Sequence, residues 1–382
     1  MNNFKIKSIS EVDICKELDN IGFDYSYISS ASNKYKYLNL KIYDLTLPQA
    51  NILKQTALSL GADCAVNKDV LTAKIKNTDC ILGGSISQIK KIINSLKNQQ
   101  FSMKLLAENL ESFIESDYSC RNPKIVGILN LTKNSFSDGG LYYDFEDAVK
   151  HLNQMIDDGA DIIDLGAEST RPYSSPVSSD EQLEKLEPIL KYINNRNINI
   201  PISVDTRSAI VAEKVIDFGA SIINDVSGFD YDKSMPEVIA KNDVKIIIQH
   251  SLGTPDVMQI NPQYDSIVDE IYLDFANNKL KLAEKSGIKK ENIIIDVGIG
   301  FGKTKEQNFE LIKRIDEFKS LNCPIMLGIS RKSLLGMEKV SNEEKDIFTV
   351  ALNALAIERN VDYLRVHNVG LNRKLVNLMQ NL

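Results

Sequence analysis

Asp205 in PISVDT, Asn224 in SIINDV and Asp296 in IIIDVG are polar side chains inside apolar runs of this chain. Burying such groups is costly unless something hydrogen-bonds to them, so their placement points to a ligand with matching donors. A flat heterocycle with an amidine-like edge, such as a pterin or guanine ring, offers paired N–H groups to a carboxylate. A second set is Asn130, Thr170, Arg171, Arg365 and His367. It has the chemistry to hold an anion with many oxygens, such as pyrophosphate, with a divalent cation near Asn130. No activated Ser or Cys nucleophile is evident, and this chemistry needs none.

These residues fall at the ends of eight apolar runs of strand length: 124–130 (KIVGILN), 161–168 (DIIDLGAE), 201–206 (PISVDT), 221–226 (SIINDV), 244–250 (VKIIIQH), 293–298 (IIIDVG), 324–330 (PIMLGIS) and 362–367 (DYLRVH). Most are continuously apolar and rich in Ile and Val, as parallel strands covered on both faces are. The segments between have helical spacing: Ile267, Ile271 and Phe275 recur at i+4, as do Val268, Tyr272 and Ala276. Leu311, Ile315 and Phe318 keep a similar rhythm after the sixth run. Strands alternating with helices in this number predict a (β/α)8 TIM barrel, whose catalytic groups sit at the C-terminal strand ends. Periodicity alone also allows an open, doubly wound sheet.

The apolar rhythm breaks over 112–123, which reads as a linker. The expected organisation is therefore a small α/β domain over 1–120 and the barrel over 121–382. In the first part, 37–44 alternates like a strand, a helix starts near Pro48, and 79–83 is a strand followed by a helix through Ile89, Ile92, Ile93 and Leu96. No catalytic constellation is evident there. The net charge of −7 is spread along 382 residues without a basic patch, which argues against nucleic acid. No apolar run approaches a membrane span, and Met1–Lys5 lacks the apolar stretch of a signal peptide. The five cysteines, Cys15, Cys64, Cys80, Cys120 and Cys323, are scattered and form no CxxC. They suit a reducing cytoplasm rather than a disulfide framework or zinc site.

The motifs ILNLTKNSFSDGG (128–140), DIIDLGAESTRP (161–172), ISVDTRSA (202–209), INDVSG (223–228), IDVGIGFGKTKEQN (295–308), GISRKS (328–333) and RVHNV (365–369) together resemble the dihydropteroate synthase family. Seven motifs in order at strand ends are specific where one would be weak. The resemblance implies condensation of 6-hydroxymethyl-7,8-dihydropterin pyrophosphate with p-aminobenzoate, with Mg2+, in a cytoplasmic homodimer. It implies that Asp205, Asn224, Asp296 and Lys332 hold the pterin, and that Asn130, Arg365 and His367 form the pyrophosphate and magnesium site. Thr170 and Arg171 match a loop that closes over substrate. Phe136, Pro172, Phe301 and Ser333 match the surroundings of p-aminobenzoate, and Asp138 an acidic residue that orders the closed site.

The chain departs from the family at four places. Thr132-Lys133-Asn134 stands where Thr-Pro-Asp is usual, Val297 replaces proline, Gln249 replaces a methionine and Ala167 a glycine. These bear on rate and metal affinity more than on identity. A methyltetrahydrofolate–corrinoid methyltransferase would keep the pterin aspartates but has no need for SFSDGG, STRP and RVH together. A non-catalytic pterin-binding protein would not need Arg365, His367 and Lys332. Simpler readings remain for single residues: His151 as a surface or boundary side chain, His250 as a core histidine, Arg207 as half of an ion pair, and glycines 298, 300 and 302 as a tight turn.

Overall fold

The computed structural model describes residues 5–10, 13–116, 122–131, 145–168, 177–253, 262–332 and 340–381. The chain divides into two compact units, Met1–Asp117 and Tyr118–Leu382. The first holds an antiparallel sheet of β1 (Tyr37–Thr46), β3 (Asn77–Ser85) and β2 (Asp63–Val66), in that order. Helices Leu47–Ser59, Ile86–Leu96 and Met103–Glu115 contribute to the core of this unit, around Leu53, Leu82, Ile89 and Ile92. Two of the three start with a capping box, Thr46 with Gln49 and Ser85 with Gln88. The strand β2 and the helix Met103–Glu115 are additions to the elements legible in the sequence.

The second unit is a closed parallel barrel. Its strands are β4 (Lys124–Asn130), β5 (Ile162–Gly166), β6 (Ile202–Asp205), β7 (Ile222–Asp225), β8 (Lys245–Gln249), β9 (Ile293–Asp296), β10 (Ile325–Leu327) and β11 (Tyr363–Val366). Each pairs with the next in sequence, and β11 closes onto β4. All eight expected runs are strands, and closure excludes the open sheet.

Strand parity explains where chemistry sits in this barrel. Alternate side chains point to opposite faces of a strand. Val126, Ile162, Ile222, Ile247, Ile294, Met326 and Tyr363 form an apolar cluster of their own. Their strand neighbours Ile125, Ile163, Ile223, Ile246, Ile293, Ile325 and Leu364 belong to the larger core. Two residues beyond each member of the smaller cluster come Ile128, Asp164, Asn224, Gln249, Asp296, Gly328 and Arg365. An apolar plug thus carries a layer rich in polar groups toward the C-terminal mouth, the face barrels use for catalysis.

The helical spacing at 267–276 is interrupted. Ile267–Asp274 leads into a π-helical turn at Phe275–Lys279, followed by Leu280–Lys285. The wider turn accompanies an inward Lys279, 5% exposed, which donates to Gly228 O at 2.8 Å and Asp230 Oδ2 at 2.9 Å. No helix among the described residues is long and apolar enough to cross a membrane.

Candidate active site

The ladder registers bring distant residues into one row. Asn130 pairs with Gly166, Gly166 with Asp205, and Asp205 with Asn224. Gly166 leaves the space this row needs: a Cβ there would lie 3.1 Å from Asn130 Oδ1 and 3.9 Å from Asp205 Cβ. Asn130 and Asp205 therefore converge above one glycine. A second glycine does the same across the barrel. A Cβ on Gly328 would lie 3.8 Å from both Arg365 Cβ and Asp296 Oδ2. Asn130, Asp205, Asn224, Asp296 and Arg365 thus share one mouth of the barrel.

Arg365 spans two carboxylates. Its Nε donates to Asp164 Oδ2 at 2.7 Å, and its Nη2 lies 2.6 Å from Asp164 Oδ2 and 2.9 Å from Asp205 Oδ2. Asn224 Nδ2 donates to the same Asp164 oxygen at 3.3 Å. Burial pushes Asp205 up to about 7, with Arg365 opposing and the nearby Asp164, Glu168 and Asp225 adding to the rise. Burial works against the charge of Arg365, but Asp164 and Asp205 outweigh it and hold the guanidinium above its usual range. Asp164 was not among the residues read from the sequence. The signal that would have found it is the one that found Asp205, a carboxylate inside an apolar run.

Asp296 closes the other side. Burial raises its carboxyl, against the pull of Lys332, the Gly298 N–H, Arg365 and Lys303. Gly298 N donates to Asp296 Oδ1 at 2.7 Å. Burial brings the Lys332 ammonium down to about 8, with Asp296 opposing. Lys332 Nζ donates to Ile299 O and lies 4.6 Å from the centroid of the Phe301 ring, a cation–π contact. Behind this loop lies a fully buried lysine, Lys303. Its Nζ is 2.9 Å from Phe301 O and 3.1 Å from His250 Nδ1, tying the loop after β9 to the loop after β8. Burial lowers Lys303 to about 7, and it holds His250 well below its usual value together with Lys303 and Lys279. His250 is a buried core histidine.

The glycines of this loop make a tight turn, as φ is +68°, +84° and +68° at 298, 300 and 302. At Gly298 a Cβ would sit 1.9 Å from His250 O. We therefore expect Gly298→Ala to destabilise the barrel by about 3 kcal/mol or more. Gly287→Ala, with φ +87° and its nearest neighbour at 4.0 Å, should cost only about 1 kcal/mol. Chemical denaturation of both variants checks the contrast; equal losses would show that the approach to His250 O does not matter.

The remaining expected residues divide between described and undescribed segments. His367 is held by Ser330, whose Oγ lies 2.9 Å from Nδ1 and accepts from the His367 N–H at 3.1 Å. Phe136, Asp138, Thr170, Arg171, Pro172 and Ser333 lie outside the described residues, as do Lys133 and Asn134. Gln249 is buried and donates to Val226 O at 3.2 Å, while Val297 and Ala167 are fully buried apolar side chains. His151 is half-buried in its helix. Arg207 forms the expected ion pair, with Glu168. Asp225, next to Asn224, braces the following loop by accepting from Ser227 N and Phe229 N. Arg331 has a left-handed backbone, φ +57°, and its guanidinium is held by both oxygens of Asp346 at 2.7 Å, just before Lys332.

A barrel with carboxylates and a carboxamide at its mouth, flanked by Arg365, His367 and Lys332, has the chemistry to receive a donor-edged ring that carries an anion. The family described as pterin binding enzyme matches residues 126–367, from β4 to β11. A dihydropteroate synthase of Clostridium beijerinckii is 44% identical over 247 residues, 64% of this chain and 88% of that protein. The crystal structure of dihydropteroate synthase from Clostridium difficile in the presence of pteroic acid superposes with a TM-score of 0.63 at 42% identity, covering 68% of this chain and 96% of that one. The chain belongs to the dihydropteroate synthase family of pterin-binding enzymes.

A probable bifunctional folylpolyglutamate synthase/dihydropteroate synthase of Haloferax volcanii is 35% identical over 353 residues, 86% of this chain. That share is more than residues 118–382 contain, so the match reaches into the N-terminal unit. The chain spans 41% of the length of this longer relative.

Proposed function

We propose that the chain condenses 6-hydroxymethyl-7,8-dihydropterin pyrophosphate with p-aminobenzoate, giving 7,8-dihydropteroate and pyrophosphate. The observation that carries this reading is the convergence of Asp205, Asn224 and Asp296 with Arg365 at one mouth of the barrel. The carboxylates and Asn224 receive the N–H edge of the pterin, and Lys332 and Phe301 border it. As the exocyclic C–O bond breaks, positive charge spreads into the electron-rich ring, where Asp205 and Asp296 favour it. Negative charge gathers on the departing pyrophosphate, opposite Arg365 and His367. Such preorganised charge stabilisation is the principal catalytic resource of sites like this. The amine of p-aminobenzoate attacks the methylene carbon and loses a proton, beside Phe301; in this reading Phe136, Pro172 and Ser333 are assigned to the same substrate. Thr170, Arg171 and Asp138 close the site.

Magnesium fits the donor set. Asn130 offers a carboxamide oxygen at the row above Gly166, and among the described residues no group of three His, Cys, Asp or Glu side chains could hold a metal alone. Mg2+ typically takes one or two protein oxygens and completes its shell with water and substrate phosphates. Held by Asn130 and the pyrophosphate, it would neutralise phosphate charge.

A homodimer belongs to the same reading. Ile347, Phe348 and Leu355 are exposed on the helix Asn342–Glu358, 61%, 44% and 58% respectively. Light scattering checks the mass. For the activity, we expect pyrophosphate release that depends on both substrates and on Mg2+ and is competed by sulfonamides. No release at saturating concentrations of both substrates overturns the reading.

A further inference from the structure

Asp164 is fully buried in the middle of β5, in the layer directly above the apolar plug. Its Oδ2 receives Arg365 Nε, Arg365 Nη2 and Asn224 Nδ2. Among the described residues its Oδ1 has no hydrogen-bond partner, and neither does Asn224 Oδ1. The hydroxyl of Ser203, the register partner of Asp164 on β6, likewise has no hydrogen-bond partner among the described residues. Leaving buried acceptors unsatisfied is costly and uncommon, so this cluster is not explained by stability.

The guanidinium geometry supplies an explanation. Arginine is a rigid planar fork. With Nε and Nη2 committed to Asp164, the Nη1 side of Arg365 is aimed away from that carboxylate. Without Asp164, Asp205 would remain as the carboxylate bonded to Arg365. The side chain would then be free to turn toward β6 and satisfy Asp205 fully. Asn224 would lose the acceptor for its Nδ2, and with it the fixed direction of its Oδ1.

We propose that Asp164 is a positioning residue for the reaction. It locks Arg365 so that the free edge of the guanidinium faces a diphosphate, and locks Asn224 so that its carbonyl faces a ring donor. The inference rests on the function proposed above, so its test carries a readout independent of turnover.

That readout is the exchange of the Arg365 Nε proton with water, followed by NMR on arginine labelled with nitrogen-15 and assigned by its loss in Arg365→Lys. Slow exchange in the unaltered protein, accelerated tenfold or more in Asp164→Asn, is expected. Fast exchange in the unaltered protein overturns the proposal, even where Asp164→Asn fails to fold.

The second arm is a double-mutant cycle on turnover and on the affinity for inorganic pyrophosphate. Asp164→Asn should lower both by about ten- to a hundredfold in the native background. In Arg365→Lys it should have little further effect on either, because the two residues act as a unit. The same loss in both backgrounds would make Asp164 a structural residue only. If the unaltered chain shows no turnover, the functional reading fails, and proton exchange and pyrophosphate affinity still decide the role of Asp164.

Discussion

Asp296→Asn should weaken the binding of a pterin analogue by about 30- to 1000-fold while leaving the melting temperature nearly unchanged. An ionised Asp296 can accept two N–H bonds from the ring edge. Asparagine keeps the shape but turns one acceptor into a donor, which would face another donor. Losing a charged hydrogen bond and leaving a buried group unpaired costs about 2–4 kcal/mol. Folding should suffer less. One oxygen of Asp296 already accepts from Gly298 N at 2.7 Å, and the amide oxygen of asparagine can keep that bond. Burial also disfavours the Asp296 charge, so removing it relieves a cost in the ligand-free protein. Calorimetric titration with the analogue, alongside thermal melts, tests both halves. Unchanged affinity with a large fall in melting temperature would make Asp296 structural and misplace the site.

Glu168→Gln should do the reverse, lowering stability by about 3–5 kcal/mol, which for a domain of this size is roughly 10 °C in melting temperature. Glu168 and Arg207 have side chains only 5% and 8% exposed. They meet through two bonds, Nη2 to Oε1 at 2.8 Å and Nε to Oε2 at 3.3 Å, and Arg207 also lies 4.2 Å from the Tyr231 ring centroid. Removing one charge leaves the other buried and unpaired, which costs more than the pair itself contributes. Glu168→Leu with Arg207→Met should therefore recover much of the loss. Glu168 also accepts from Val177 N at 3.2 Å, so it joins the two described residues on either side of 169–176, the stretch of sequence that contains Thr170 and Arg171. The expected kinetic companion of the stability loss is a higher KM for substrate. A fall of less than about 1 kcal/mol in denaturant titration would show that water reaches the pair.

Residue type and order in the sequence determined the barrel and most of its chemistry. Runs such as IIIDVG and SIINDV are too apolar for half-exposed strands, and their alternation with helical spacing leaves few architectures. The polar residues inside those runs then point to the site, because each needs a ligand, a partner charge or loop N–H donors of the kind that satisfy Asp225. An ion pair was the simpler reading for Arg207, but nothing in the sequence named Glu168 as its partner. Partners such as Thr46 with Gln49 and Ser85 with Gln88 lie within one turn of each other in the chain, whereas Glu168 and Arg207 are 39 residues apart.

The tertiary structure decided what spans the barrel. Arg365 and Asp164 are 201 residues apart, and only closure of β11 onto β4 brings them together. Register decides that Asn130, Gly166, Asp205 and Asn224 share one row, and a shift of one residue would turn their side chains to the opposite face. Nothing in the spacing of GFGKT gives Lys303 a partner, but the loop folds back and buries it against His250 and Phe301. Lys279 was likewise hidden in a helical pattern until the π-helical turn brought it inward to Gly228. In each case the residue type is local information, whereas its partner is set by strand closure, register or loop path, which are long-range contacts that spacing along the chain does not encode.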